Sequence, residues 1–128
     1  MRVLVVDDNR DIVELLQRIL RLEGHDVLIA RDGLEALQQE AAGQPDLVIL
    51  DVNLPVLDGW EVCRRIKARR AVPIVLLTVR AERADIERSR AAGADEHLLK
   101  PFEISAFLKQ IATITARSNS AASAAQAA

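Results

Sequence analysis

The chain has 128 residues, half of them hydrophobic, so it fits one domain with a buried core and is not a disordered chain. Its 17 basic and 19 acidic residues leave a net charge of −2, which gives no electrostatic reason to expect nucleic acid or an anionic membrane surface as a partner. A single cysteine, Cys63, excludes an internal disulfide, and no stretch approaches the roughly 20 apolar residues of a membrane span. A cytoplasmic location is expected.

The first element is VLVV at residues 3–6, cut off by Asp7 and Asp8. A charged pair so early is no signal peptide. Ile12, Leu15, Leu16, Ile19 and Leu20 then fall on one helical face. Residues 27–30 predict a modest strand, and Leu34, Leu37 and Ala41 a second helix. The run LVIL at 47–50 is continuously apolar and ends on Asp51, followed by Pro55 and the turn pair Asp58-Gly59. Val62, Cys63 and Ile66 mark a third helix, with Cys63 read as a small buried hydrophobe.

A third continuous run fills 74–77 and closes on Thr78. The helix between positions 82 and 92 offers only Ile86 and alanines for burial. A weak strand at 97–99 leads to Lys100-Pro101, and Ile104, Phe107, Leu108, Ile111 and Ile114 define the last helix. Beyond Ile114 the apolar pattern stops. Gly24, Gly43, Gly59 and Gly93 stand at the joints.

Five βα units with short connections predict a doubly wound α/β fold, one five-stranded parallel sheet with helices on both faces. Continuous apolar runs belong to strands covered on both sides, which puts the first, third and fourth inside and matches the common five-strand order 2-1-3-4-5. In that order the winding reverses between strands 1 and 3, and ligands bind outside the carboxyl ends at such a point. Asp7, Asp8, Asp51, Thr78 and Lys100 all fall at carboxyl ends. Asp8 or Asn9 as a helix cap, Asp51 as a turn former and Lys100 as a loop lysine are each ordinary readings taken alone. Their joint placement is not ordinary.

Clustered carboxylates repel by about 4 kcal/mol per pair at 4 Å and an effective dielectric near 20, unless a cation intervenes. Oxygen ligands without histidine favour Mg²⁺, with Mn²⁺ an alternative, and Mg²⁺ on few carboxylates implies phosphate chemistry.

At VVDD (5–8), DVNLPVLDG (51–59), LLT (76–78) and GADEHLLKPF (93–102) the chain resembles a response-regulator receiver domain of two-component signalling. The strand order is already that of the family's chemotaxis members, so it is not independent of the resemblance. The resemblance covers residues 1–117 and leaves 118–128 as an Ala/Ser-rich tail or linker. It implies that Asp51 accepts a phosphoryl group from the phosphohistidine of a sensor histidine kinase or phosphotransfer protein. It further implies that Asp7, Asp8, Asp51 and the backbone carbonyl of Asn53 hold the metal. Lys100 and Thr78 would contact the phosphoryl group, and Pro101 would follow a cis peptide bond. His97 stands where Tyr or Phe is usual, either swinging behind Thr78 or exposed on an edge strand. Val79 stands where a small residue is usual.

The function implied is a phosphorylation-operated switch that alters its helix 4–strand 5–helix 5 surface, not an enzyme beyond its own phosphotransfer and dephosphorylation. The effector is unnamed by the sequence. An aspartate-nucleophile phosphatase would need an aspartate at position 53, where Asn53 stands, and a flavin carrier would need a hydroxyl-rich loop in place of DDNRD. Family dimers built on helices 4 and 5 use an acidic and a basic residue where this chain has Ala106 and Gln110, and apolar residues where it has Glu87 and Arg90. That dimer is not expected. His25 reads as a loop residue.

Overall fold

The computed structural model describes residues 1–79 and 82–127, of which 118–127 are described by backbone alone. Ten elements alternate: β1 (Arg2–Val6), α1 (Arg10–Leu22), β2 (Asp26–Ala30), α2 (Gly33–Gly43), β3 (Leu47–Asp51), α3 (Gly59–Arg69), β4 (Ile74–Thr78), α4 (Arg83–Ala91), β5 (Glu96–Leu99) and α5 (Ile104–Ala127). All strand pairs are parallel and the order is β2-β1-β3-β4-β5. β3 and β4 are buried at every position, as continuous apolar runs require of interior strands. No helix of the described residues is long and apolar enough to cross a membrane.

Strand alternation sorts the core into two layers. Val3, Val5, Leu47, Ile49, Val75 and Leu77 face α1 and α5, where Leu16, Leu20, Phe107, Ile111 and Ile114 meet them. Leu4, Val6, Val48, Leu50, Ile74 and Leu76 face the other way, onto Ala36 of α2 and Trp60, Val62, Cys63 and Ile66 of α3.

Helix phases depart from the apolar pattern in several places. Leu15, Leu34 and Ile104 are exposed at 41%, 51% and 46%, and Ala41 is exposed too. In α1 the buried position is Val13 rather than Leu15. In α2 the buried face is Gly33, Ala36 and Glu40. Its phase is set by close approach: a Cβ on Gly33 would lie 2.1 Å from the Leu57 carbonyl oxygen, so only glycine lets α2 start against that loop. Glu40 is fully buried and is met by the guanidinium groups of Arg69 and Arg70 at the end of α3. A charge at that depth requires such partners, and apolar periodicity carries no sign of them. The backbone of α5 continues as helix through the segment read as a tail or linker, whose side chains lie outside the description.

The loop after β3 turns tightly. The N–H of Leu57 bonds the Pro55 carbonyl at 2.8 Å across Val56, which sits at φ 71° and is 78% exposed. A β-branched residue in left-handed backbone is strained, and its side chain recovers nothing by burial. Val56→Gly is therefore expected to stabilise the fold by about 0.5–1 kcal/mol despite glycine's greater freedom when unfolded. Urea denaturation checks this as a higher midpoint with an unchanged slope.

Candidate functional site

The carboxyl ends of β1, β3, β4 and β5 meet at one edge of the sheet. Asp7 follows β1 and is tied by its N–H to the Ala30 carbonyl. Asp51 is the last residue of β3 and Thr78 the last of β4. Lys100 follows β5, its N–H donating to the Thr78 carbonyl at 2.7 Å, and the Lys100–Pro101 bond is cis.

A carboxylate oxygen from each of Asp7, Asp8 and Asp51 lies within 4.8 Å of the others. Their environments differ. Asp7 is 1% exposed and fully engaged: one oxygen accepts from the Asn9 N–H at 2.9 Å, and the other meets the Lys100 ammonium at 2.7 Å. Asp8 is exposed, and it does not cap α1, because the Asn9 side chain accepts the N–H groups of Asp11 and Ile12. Asp58, read as a turn residue, caps α3 through the Glu61 N–H. Gly59 behind it admits no side chain, since a Cβ would lie 2.3 Å from the Asp51 carbonyl oxygen.

Asp51 is 5% exposed, with Lys100 Nζ 3.5 Å from its Oδ1. Burial, and then repulsion from Asp7, push its pKa up to about 6; Lys100 and the Asn53 N–H pull the other way. At neutral pH it is mostly the carboxylate, a usable nucleophile held in a poorly solvated place. Lys100 thus spans two of the three aspartates. Thr78 is buried at 1% one strand away.

His97 is half-buried, on the face of β5 opposite Leu98. Its Nε2 is buried without a hydrogen bond, and burial lowers its pKa against an opposing pull from Asp85. A solvent-facing edge histidine is therefore not what the fold holds at this position. Val79 is 62% exposed. Cys63 is buried, donates to the Ala92 carbonyl at 3.4 Å, and has its thiol pKa pushed up to about 11 by burial. His25 lies with Nδ1 3.1 Å from the terminal amine, far from the acidic edge in the fold.

The helix α4 holds residues that apolar patterning missed. Ile86, expected to anchor it, is 37% exposed, and the buried residue is Ser89 at 2%, which accepts the Trp60 indole N–H. A serine among charged residues reads as surface; only the single tryptophan marked this region, without naming its partner.

In the fold Asp51 keeps its proton up to about pH 6, whereas its ordinary value is 3.8. Between those values the folded chain holds a proton the unfolded chain has lost, so stability falls as pH rises through that window and levels off above it. In metal-free buffer Asp51→Asn is expected to stabilise the protein by about 2–3 kcal/mol at pH 7.5 and by almost nothing near pH 4. Urea denaturation at the two pH values measures the difference.

The family model described as "Response regulator receiver domain" matches residues 3–112. The chain is 44% identical over 86% of its length to the alkaline phosphatase synthesis transcriptional regulatory protein PhoP of Bacillus subtilis, covering 48% of that protein. It is 42% identical over 80% of its length to the DNA-binding response regulator MtrA of Mycobacterium tuberculosis, covering 45%. The chain spans about half the length of the curated relatives it matches. Among solved structures, a two-component response regulator from Clostridium difficile superposes with a TM-score of 0.90 at 27% identity, covering 93% of this chain and 98% of that one. The chemotaxis protein CheY4 of Vibrio cholerae gives 0.84 at 32% identity, covering 88% and 97%. With the acidic edge at the sheet's switch point, these likenesses place the chain in the response regulator receiver domain family, and its function is that of a phosphorylation-dependent signalling switch.

Proposed function

We propose that Asp51 is the phosphoacceptor. The observation that carries this is its position: a nearly buried carboxylate ending β3, with an ammonium at 3.5 Å and two further carboxylates beside it. The donor is a phosphohistidine on a sensor histidine kinase or a phosphotransfer protein. Asp51 Oδ attacks phosphorus, the P–N bond breaks, and its electron pair returns to the imidazole, which takes a proton from water. The product is an acyl phosphate on Asp51, and hydrolysis at phosphorus restores the carboxylate. Beyond this transfer and the hydrolysis of its product the domain is not an enzyme.

The acidic edge fits a hard divalent cation. Its three oxygens converge without histidine or cysteine, and Asp8 is neither capping nor buried. Asp8 and Asp51 would hold Mg²⁺, or Mn²⁺, directly, with Asp7 positioning it and the Asn53 carbonyl completing the protein's share. When bound, the ion supplies positive charge against the phosphoryl oxygens. Lys100 supplies the protein's own positive charge and leaves Asp7 or Asp51 for a phosphoryl oxygen as transfer proceeds. Thr78, buried one strand away, turns its hydroxyl toward the same group. Through Thr78, which closes β4 just ahead of α4, the new charge biases the α4–β5–α5 surface.

Output by this domain alone is through protein contact. Each base of the run at 64–70 has a carboxylate partner, with Arg64 and Arg65 sharing Glu61, Lys67 meeting Asp95, and Arg69 and Arg70 sharing Glu40, in a chain of net charge −2. That supports a domain that does not itself bind nucleic acid, whatever effector it serves. A phosphohistidine donor, which is made with ATP, supports a cytoplasmic location, and the family match over 3–112 supports residues 1–117 as the receiver domain.

Incubation with a small acyl phosphate and Mg²⁺ is expected to add one phosphoryl group by mass. Asp51→Asn abolishes it, and Asp8→Ala reduces it close to zero. Labelling of Asp51→Asn at the wild-type level would overturn the assignment. On the output face Ala106 is exposed, and Glu87 pairs along its own helix with Arg83 at 3.3 Å rather than offering an apolar contact. Beryllofluoride is therefore expected to leave the protein monomeric by light scattering, and an activated dimer through α4, β5 and α5 would contradict this.

A further inference from the structure

The helix α4 is fastened in an unusual way. It has no fully buried apolar side chain, and Glu82 at its start makes no side-chain cap. Among the described residues, its side-chain hydrogen bond to another element reaches α3. The Trp60 indole N–H donates to Ser89 Oγ at 2.9 Å, and the Ser89 hydroxyl donates back to the Asp85 carbonyl at 3.1 Å. The Arg88 guanidinium lies 4.1 Å from the centre of the Trp60 ring. Both Trp60 and Ser89 are buried, so the bond between them is shielded from water.

The far end of α4 is fixed separately. Cys63 donates to the Ala92 carbonyl, and Gly93 follows at φ 94° with Lys67 packed 3.2 Å from where a Cβ would sit. A helix pinned at its C-terminal end, tied to Trp60 in its middle and without a side-chain cap from Glu82 at its start can pivot if the tie is broken. Beside the tie is a cavity of about 230 Å³ lined by Asp58, Glu61, Arg64 and Ala91 as well as Trp60 and Arg88. Trp60 also follows Gly59, which touches the Asp51 backbone.

We propose that Trp60, Ser89 and Arg88 form a latch that holds α4 against α3 in the unphosphorylated domain and sets how readily phosphorylation of Asp51 displaces it. This rests on the phosphoacceptor reading above. Trp60 is here a positioning residue. The phosphoryl group pulls from the Thr78 side, four residues ahead of Glu82, while the latch resists from the α3 side. Weakening the latch then favours the displaced helix before any phosphoryl group arrives. By linkage, the domain binds a phosphoryl mimic more tightly by the same factor.

The experiment uses Trp60→Phe, Ser89→Ala and the double variant. Amide exchange in residues 83–91 is expected to speed up about five- to tenfold in each single variant, the share of one shielded hydrogen bond. The double variant should go no further than the faster single one, since both remove the same bond. Apparent affinity for beryllofluoride with Mg²⁺ should rise by about the same factor in all three. In wild type, beryllofluoride should shift the emission of Trp60, the chain's single tryptophan. A merely structural pair would lower stability and leave that affinity where it was. Faster exchange with unchanged affinity would overturn the latch, as would additive effects in the double variant. Failure of wild type to bind beryllofluoride or accept label would overturn the phosphoacceptor reading, and the coupling with it.

Discussion

Everything at the acidic edge depends on one ammonium group. Lys100 reaches Asp7 at 2.7 Å and Asp51 at 3.5 Å, and without that charge two nearly buried carboxylates would face each other unscreened. The compensation is partial, because Asp51 still has its pKa raised to about 6. The fold thus keeps a carboxylate whose charge it does not fully stabilise. Such a group gains from any further positive charge brought to it, as the proposed cation would bring.

The surrounding architecture serves to keep that imbalance in place. Asp7 is oriented by the Asn9 N–H, and the same Asn9 side chain caps α1, so one residue frees Asp8 from capping and fixes Asp7. Gly59 lets α3 begin in contact with the Asp51 backbone. The strained turn at Val56 brings the loop from β3 back to that helix start and against Gly33 of α2. One of the two non-glycine residues in left-handed backbone among the described residues, Val56, thus lies in the loop that follows Asp51, while the other, Gln44, closes α2.

The fold was legible because buried parallel strands and short βα connections leave a strong mark: three continuous apolar runs, each within a residue of the strand observed. The acidic edge was legible for a related reason, since strand ends in this topology converge wherever they lie in the chain. Helix faces were less so. Leu34 looked like core and is exposed, because backbone close approach at Gly33, and not apolar count, fixes how α2 is turned, and Ile104 is exposed at the first position of α5. Glu40 and Ser89 were illegible: buried polar residues look like surface ones until the partner, from another element, is known. His97 shows the same limit, its burial decided by what lies over the sheet and not by its strand.

The division of the core by the sheet has a consequence for how the domain tolerates change. Val3, Val5, Ile49 and Leu77 belong to the cluster with α1 and α5, while Leu4, Val6, Leu50 and Leu76 belong to the cluster with α2 and α3. Side chains on opposite faces fall in separate clusters, so a volume change in one layer is felt mainly there, and for positions well separated along the sheet its energetic effect adds to one in the other layer. The layer carrying α3 and its tie to α4 can therefore be retuned, residue by residue, while the α1 and α5 layer keeps its packing. The two halves of one small domain are joined by the strands that hold the aspartates between them.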